Sequence, residues 1–368
     1  MNKKISQLQL ICIGICYISG TVVVSVFISS IAKNDSWMIG IFGAICFIPV
    51  LLVYFSLIKK YPGMGLFEMN EAVFGSIAGR ILSFIYLCFF VTLCALNTLE
   101  ASNFLHYFIM PDTPLLAIAL VIMATCVYCV KRGFIVLARV STLFCIIATA
   151  GLFFSFALSM NHANFEFLLP SFDLKPLDYI QSTHVAVAIP FGESIGLMTL
   201  IPKLSEKASI KKAYIAVTIV TMLIVVTVHL REVLSLGPMV EFTTLPSYES
   251  VRLINLANIL SRTESIFALL LVTLTTFKTL ILFYACLKGT SQVFRLTSYK
   301  PLIFMLAMFV PIYAITAYGS SSANIYWGKN VSPFIWSFFT FLIPLITMVF
   351  AHIKGFVQKR MAARGHAK

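Results

Sequence analysis

Charge is scarce in this chain. Only 11% of its 368 residues are Asp, Glu, Lys or Arg, and the acidic residues number 14 against 27 basic ones. A soluble globular domain carries about 25% charged residues, so the composition excludes that class. Catalytic fingerprints are absent as well: there is no phosphate-binding loop, no HExxH, no dinucleotide glycine fingerprint and no persuasive nucleophile elbow. The nine cysteines include one CxxC, Cys126 and Cys129, with no second pair or histidine cluster beside it. That spacing supports neither a zinc nor a redox site and reads as buried small hydrophobes. No cofactor or metal is implied, and the chain is not read as an enzyme.

What is present is apolar sequence in long runs. Hydrophobic residues make up 60% of the chain and mean hydropathy is +0.95. Runs of roughly 20 apolar residues are enough to cross about 30 Å of hydrocarbon. The pattern predicts an all-α polytopic membrane protein with ten transmembrane helices near 8–30, 37–58, 77–106, 114–131, 138–158, 182–201, 213–236, 264–287, 300–318 and 332–353. Residues 1–368 are expected to form one transporter-like domain. The run after Lys3 and Lys4 lacks a small-residue cleavage site and reads as a retained first helix rather than a signal peptide.

The net charge of +13 is distributed by topology and does not call for nucleic acid. Twenty of the 27 basic residues fall at the amino terminus, in alternate loops (Lys59, Lys60 and Arg80; Lys131, Arg132 and Arg139; Lys203 to Lys212; Lys288 to Lys300) and in the carboxy tail. Six lie on the opposite side, among them Arg231 at the end of the seventh helix, and Lys278 stays inside the eighth helix. This segregation predicts both termini in the cytoplasm. Two outer loops are long, 159–181 and 237–263, and the segment "VRLINLANIL" in the second is expected to form a short amphipathic helix across the outer mouth.

Two helices carry unusual centres. The first contains Ser19-Gly20-Thr21 and the sixth contains "IPFGES", with Pro190, Phe191, Gly192 and Glu193. If the chain divides into five plus five helices, approximately 8–158 and 182–318 with the tenth at 332–353 either additional or part of the second repeat, these two correspond. Proline removes a donor and glycine tolerates unusual dihedrals, so both helices are expected to break and expose backbone groups for a ligand. Glu193 is a protonatable or cation-binding group, or a structural carboxylate bonded to unwound backbone.

Further polar candidates lie on helices three and eight. Asn97, Glu100 and Asn103 recur every three residues and line one stripe. Arg252, Arg262 and Glu264 cluster before and at the start of helix eight, and Lys278 sits among Thr273, Thr275 and Thr276. Lys278 pairs with a carboxylate from elsewhere, stands where another transporter uses a metal cation, or snorkels to the basic surface. His184, nine residues before Glu193, starts on the opposite face and is not expected to couple to it.

The segments "ISQLQLICIGICYISGT" (5–21), "FGESIGLMTLIPKL" (191–204) and "LPSYESVRLINLANILSRTESIFAL" (245–269), in this order within a ten-helix frame, resemble the B subunit family of spore germinant receptors, within the amino acid, polyamine and organocation transporter superfamily. The likeness extends over essentially the whole chain. It implies two inverted five-helix repeats with helices one and six broken, and a small germinant such as an amino acid bound at Ser19, Gly20, Thr21, Pro190, Phe191, Gly192 and Glu193. It also implies an A subunit and a C subunit lipoprotein as partners in the lipid bilayer of the spore inner membrane. A proton-coupled amino-acid permease and a structural membrane scaffold are the competing readings. Lys278, in a helix where neutral cation-coordinating oxygens are expected, argues against sodium coupling.

Overall fold

Ser6 starts the first helix by a reciprocal cap: its hydroxyl accepts from the Gln9 amide at 3.2 Å while the Gln9 side chain accepts from the Ser6 amide at 2.9 Å. The computed structural model describes residues 4–23, 26–254, 263–317 and 321–365. Its helices, in chain order, are α1 (Gln7–Val22), α2 (Ser29–Ala32), α3 (Ser36–Cys46), α4 (Ile48–Lys60), α5 (Leu66–Phe74), α6 (Ala78–Phe108), α7 (Leu115–Arg132), α8 (Phe134–Ser159), α9 (Pro176–Ala186), α10 (Ile210–Leu236), α11 (Pro246–Arg252), α12 (Thr263–Val293), α13 (Leu302–Ala317), α14 (Ser321–Asn330), α15 (Ser332–Ser337) and α16 (Ile343–Gly365). Among the described residues there is no sheet, only one isolated bridge between Ile5 and Leu204.

Eight helical stretches among the described residues are long and apolar enough to cross a membrane, and two shorter apolar helices, Gln7–Val22 and Leu302–Ala317, stand at the predicted first and ninth positions. The chain is a multi-spanning, all-α membrane protein. Predicted boundaries mostly hold within four residues. The sixth span starts six residues early at Pro176, the eighth ends six late at Val293 and the last helix runs on to Gly365, while the first helix ends at Val22 instead of continuing to residue 30. The second bends at Phe47, where Pro49 restarts the helix as α4 in its first turn. α8 begins four residues early because Gly133, at φ 98°, turns the chain by itself. In the second long outer loop the helical turn is α11, and most of the predicted amphipathic segment, 255–260, lies outside the described residues, as does Arg262.

Loop contacts sort into two ends. Lys4 pairs with Glu206 at 2.9 Å, Lys60 donates to the Ala351 carbonyl, Arg295 donates to Ser76 at 2.9 Å and Lys354 donates to the Ala72 carbonyl at 2.8 Å. These are the loops that the charge pattern put on one side. At the other end Lys33 pairs with Glu241 at 2.8 Å, Tyr179 donates to Asp35, and Gln181 donates to Asn330 at 3.2 Å.

Between the two ends, α1 packs against α8, α10 and α12, while α12 also lies along α6. Gly20 sets the α1–α12 approach: a Cβ there would stand 2.8 Å from the Leu274 carbonyl oxygen and 3.0 Å from Lys278 Cβ. This closeness carries Thr21 to Lys278.

Candidate functional site

The sixth span changes its winding twice. After α9 the helix widens into a π turn over Val187–Phe191, where Pro190 offers no amide, then tightens into 3₁₀ turns over Gly192–Lys203. Such turns are used in short pieces because their hydrogen bonds are poorer, and π bulges concentrate at functional sites. Tyr214 donates to the Ser194 carbonyl of this segment at 3.1 Å. The tenth span has a matching irregularity, a π turn over Phe338–Leu342. Pro344 cannot donate to Thr340, four residues earlier, and Tyr54 supplies the missing bond to that carbonyl at 2.6 Å.

Glu193 opens the 3₁₀ segment and points into the bundle. Its Oε2 lies 2.8 Å from Lys278 Nζ, with the two side chains 3% and 4% exposed. Thr21 joins them, accepting from Lys278 Nζ at 2.8 Å and donating to Glu193 Oε2 at 2.9 Å. The other carboxylate oxygen accepts from Trp336 Nε1 at 3.2 Å. Four spans therefore meet at one buried ion pair: α1, the sixth, α12 and the tenth. A buried pair does not by itself stabilise a fold, because desolvation of two charges offsets their attraction.

A cavity of about 30 Å³ adjoins the pair, lined by Thr21, Asn97, Glu100, Glu193, Lys278 and Trp336, with Phe27 at its edge. That is room for water and no more. Asn97 Nδ2 donates to the Thr275 carbonyl at 2.8 Å and to Thr279 Oγ1 at 2.6 Å, which fixes its amide, and its Oδ1 is buried with no partner among the described residues. A second cavity of about 160 Å³ lies beyond, lined by Asn103, Phe104, Tyr107 and Leu245 among others, and it shares Phe27 and Glu100 with the first. Phe27 lies against Gly328, where a Cβ would collide with its ring. Phe27 and Glu100 therefore stand between the two cavities, and the Asn97–Glu100–Asn103 stripe runs from one to the other.

The predicted residues divide accordingly. Thr21, Glu193 and Lys278 come together, and Asn97 and Glu100 line the same space. Ser19 and Gly20 lie in the last turns of α1, which is continuous through Val22, so the break expected at 19–21 is not there. Pro190, Phe191 and Gly192 are buried behind the cavity wall, Phe191 stacked on Phe47 with ring centres 5.8 Å apart. Arg252 is on α11 and pairs with Glu249 at 3.5 Å. Glu264 starts α12 away from both cavities, Arg262 is outside the described residues, and His184 meets Ser337 at 2.8 Å. Sequence reasoning missed Phe27 and Trp336, although an aromatic bearing an indole N–H inside a span signals a buried hydrogen-bond partner.

Charge placement counted Arg231 and Glu232 at the outer end of the seventh helix, facing the outer side, whereas both are fully buried in α10. Arg231 donates to Ser250 at 3.1 Å, Ser155 at 2.6 Å and the Ser247 carbonyl at 2.9 Å. Glu232 accepts from Ser29 at 2.8 Å and Ser247 at 2.5 Å. The network ties α11 to the segment that carries Phe27.

Comparison with known proteins decides the family. The family described as Spore germination protein matches residues 4–323. The chain belongs to that family. It is similar to Spore germination protein KB of Bacillus subtilis (strain 168), 24% identical over 331 residues and covering 88% of both chains. It is also similar to the putative spore germination protein YfkT of that organism, 26% identical over 240 residues, 64% of this chain and 65% of the relative. A third relative from the same strain, Spore germination protein B2, is 22% identical over 336 residues, 89% of this chain and 88% of the relative.

Proposed function

We propose that this member of the spore germination protein family is the transporter-like, germinant-sensing B-type subunit of a spore inner-membrane receptor. It has ten spans in two inverted sets of five, both termini are cytoplasmic, and it assembles with an A subunit and a C subunit lipoprotein. Its ligand is a small molecule such as an amino acid. The observation that carries the reading is the buried Glu193–Lys278 pair at 2.8 Å, bridged by Thr21 and beside a cavity with an unpartnered Asn97 oxygen. An amino acid brings one carboxylate and one ammonium. It exchanges with the pair charge for charge, its carboxylate on Lys278 and its ammonium on Glu193 and Asn97 Oδ1, so that no charge is left unpaired at any stage.

The 30 Å³ space does not admit an amino acid, and the 160 Å³ chamber beyond Phe27 does. Entry therefore moves Phe27 off Gly328. A ligand that binds the opened arrangement more tightly shifts the population towards it, which is the signal passed to partners. Direct binding of an amino-acid panel to the purified receptor, with Glu193→Gln alongside, tests this. Binding that disappears in an assembled variant supports sensing, whereas pocket variants that assemble and respond normally overturn it.

The second carboxylate at the junction, Glu100, supports a proton-coupled permease as the other reading. Sealed vesicles then accumulate labelled solute when given a proton gradient, and a sensor without a transport cycle does not. A scaffold predicts failed assembly after pocket substitutions and no ligand binding in the intact complex.

A further inference from the structure

Two apolar grooves on the outer wall of the bundle share a pattern. The first, about 460 Å³, is floored by α12 (Val272, Phe277, Leu280) and walled by α7 and α8, which meet at the Gly133 turn. The second, about 420 Å³, lies between α4 and α10. Each ends in one cation stacked on an aromatic ring: Arg132 over Tyr128 at 5.1 Å, and Lys211 over Phe55 at 5.7 Å. Both cations are exposed, both stand at the basic end of the molecule, and the ion pairs among the described residues include neither.

The dimensions fit one leaflet. From Val121 to Arg132 along α7, and from Met222 to Lys211 along α10, is eleven residues, or about 16 Å of helix rise, against about 15 Å for half the hydrocarbon thickness. The lining is mostly apolar, and three of its threonines, Thr125, Thr273 and Thr218, donate back into their own helices, to Val121 at 3.0 Å, Leu269 at 2.7 Å and Tyr214 at 2.9 Å. It is also poorly suited to a partner helix, which seeks small residues for close approach or polar groups for hydrogen bonds. The walls are instead bulky, with Val136, Val140 and Phe144 in one groove and Ile48, Leu52 and Ile219 in the other.

We propose that each groove seats one acyl chain of an anionic glycerophospholipid in the leaflet at the basic face, its phosphate paired with Arg132 in the first and with Lys211 in the second. The ring beneath each cation holds the charge at the groove mouth, where hydrocarbon gives way to headgroup.

The test uses the full chain purified in micelles containing equal phosphatidylglycerol and phosphatidylcholine of one chain length, read by native mass spectrometry. A phosphatidylglycerol bearing a mid-chain diazirine maps the contact. Two phosphatidylglycerol molecules are retained in preference to phosphatidylcholine. Arg132→Gln and Lys211→Gln each weaken retention of one of them about fivefold. Lys207→Gln, which removes an exposed charge from the same face outside both grooves, leaves retention unchanged, and the photoadducts fall on residues 121–144 and 45–55. Equal retention of the two headgroups, an equal effect of Lys207→Gln, or cross-links to a polypeptide in place of lipid adducts would each overturn the proposal.

Discussion

Replacing Glu193 with Gln keeps the shape of the side chain and removes its charge. Lys278 is then left 4% exposed with only neutral acceptors, the Gln amide oxygen and the Thr21 hydroxyl at 2.8 Å, in place of its paired carboxylate. Breaking a buried pair from one side costs about 3–5 kcal/mol because the surviving charge stays uncompensated. For 368 residues unfolding at about 2.1 cal/mol/K per residue, the transition entropy is about 0.8 kcal/mol/K. The thermal midpoint therefore falls by about 4–6 °C in a detergent-solubilised unfolding assay. Lys278→Met produces a drop of the same order by stranding the carboxylate, which keeps only Thr21 and Trp336. The double variant removes both charges and loses about 2–3 kcal/mol less than the two single losses added together. If the double variant loses as much as the two singles added together, the residues do not act as a pair and the reasoning fails.

Phe27→Ala joins the two cavities, so a cysteine placed at Ser332, on the inner wall, reacts several times faster with a water-soluble thiol reagent than in the Phe27 background; an unchanged rate means that Phe27 is not the partition. Gly20→Ala puts a Cβ 2.8 Å from the Leu274 carbonyl oxygen and costs about 1–3 kcal/mol, read as a lowered thermal midpoint. Arg231→Met leaves the Ser155, Ser247 and Ser250 acceptors without their donor and destabilises by about 3–5 kcal/mol, with proteolysis of the α11 loop as the local readout. At the exposed Lys4–Glu206 pair, the ammonium holds the Glu206 carboxyl below its ordinary range. The small contribution of this pair is therefore complete above that range and lost as pH falls through the lowered value, and Glu206→Gln at neutral pH and high salt leaves the midpoint unmoved.

Hydropathy made the spans legible because each helix in lipid must satisfy its own backbone and show an apolar face, which is a local property of the sequence. Charge placement likewise anticipated which loops meet at which end. The site was legible in part: a carboxylate, a proline and a glycine within four residues marked the sixth span, and Lys278 was conspicuous for its depth. Their union was not, since Glu193 lies 172 residues from Thr21 and 143 from Trp336, separations that no periodicity encodes. Ser19-Gly20-Thr21 suggested a break that is not there, because Gly20 serves close packing on α12 and leaves the helix intact. Arg231 and Glu232, at the end of the seventh helix, counted as outer-side charges because charge placement was the cue. The serines that satisfy them come from three other segments, 155, 247–250 and 29. Nothing in the sequence reading singled out Pro344, whose missing amide frees the Thr340 carbonyl for Tyr54 of α4.

The most direct test of the ligand site is a structure of the assembled receptor with its germinant bound. The account places the small molecule between Thr21, Asn97, Glu193 and Lys278, with the carboxylate–ammonium contact opened and Phe27 swung away from Gly328. A germinant bound elsewhere on the receptor while Glu193 and Lys278 remain 2.8 Å apart would contradict it.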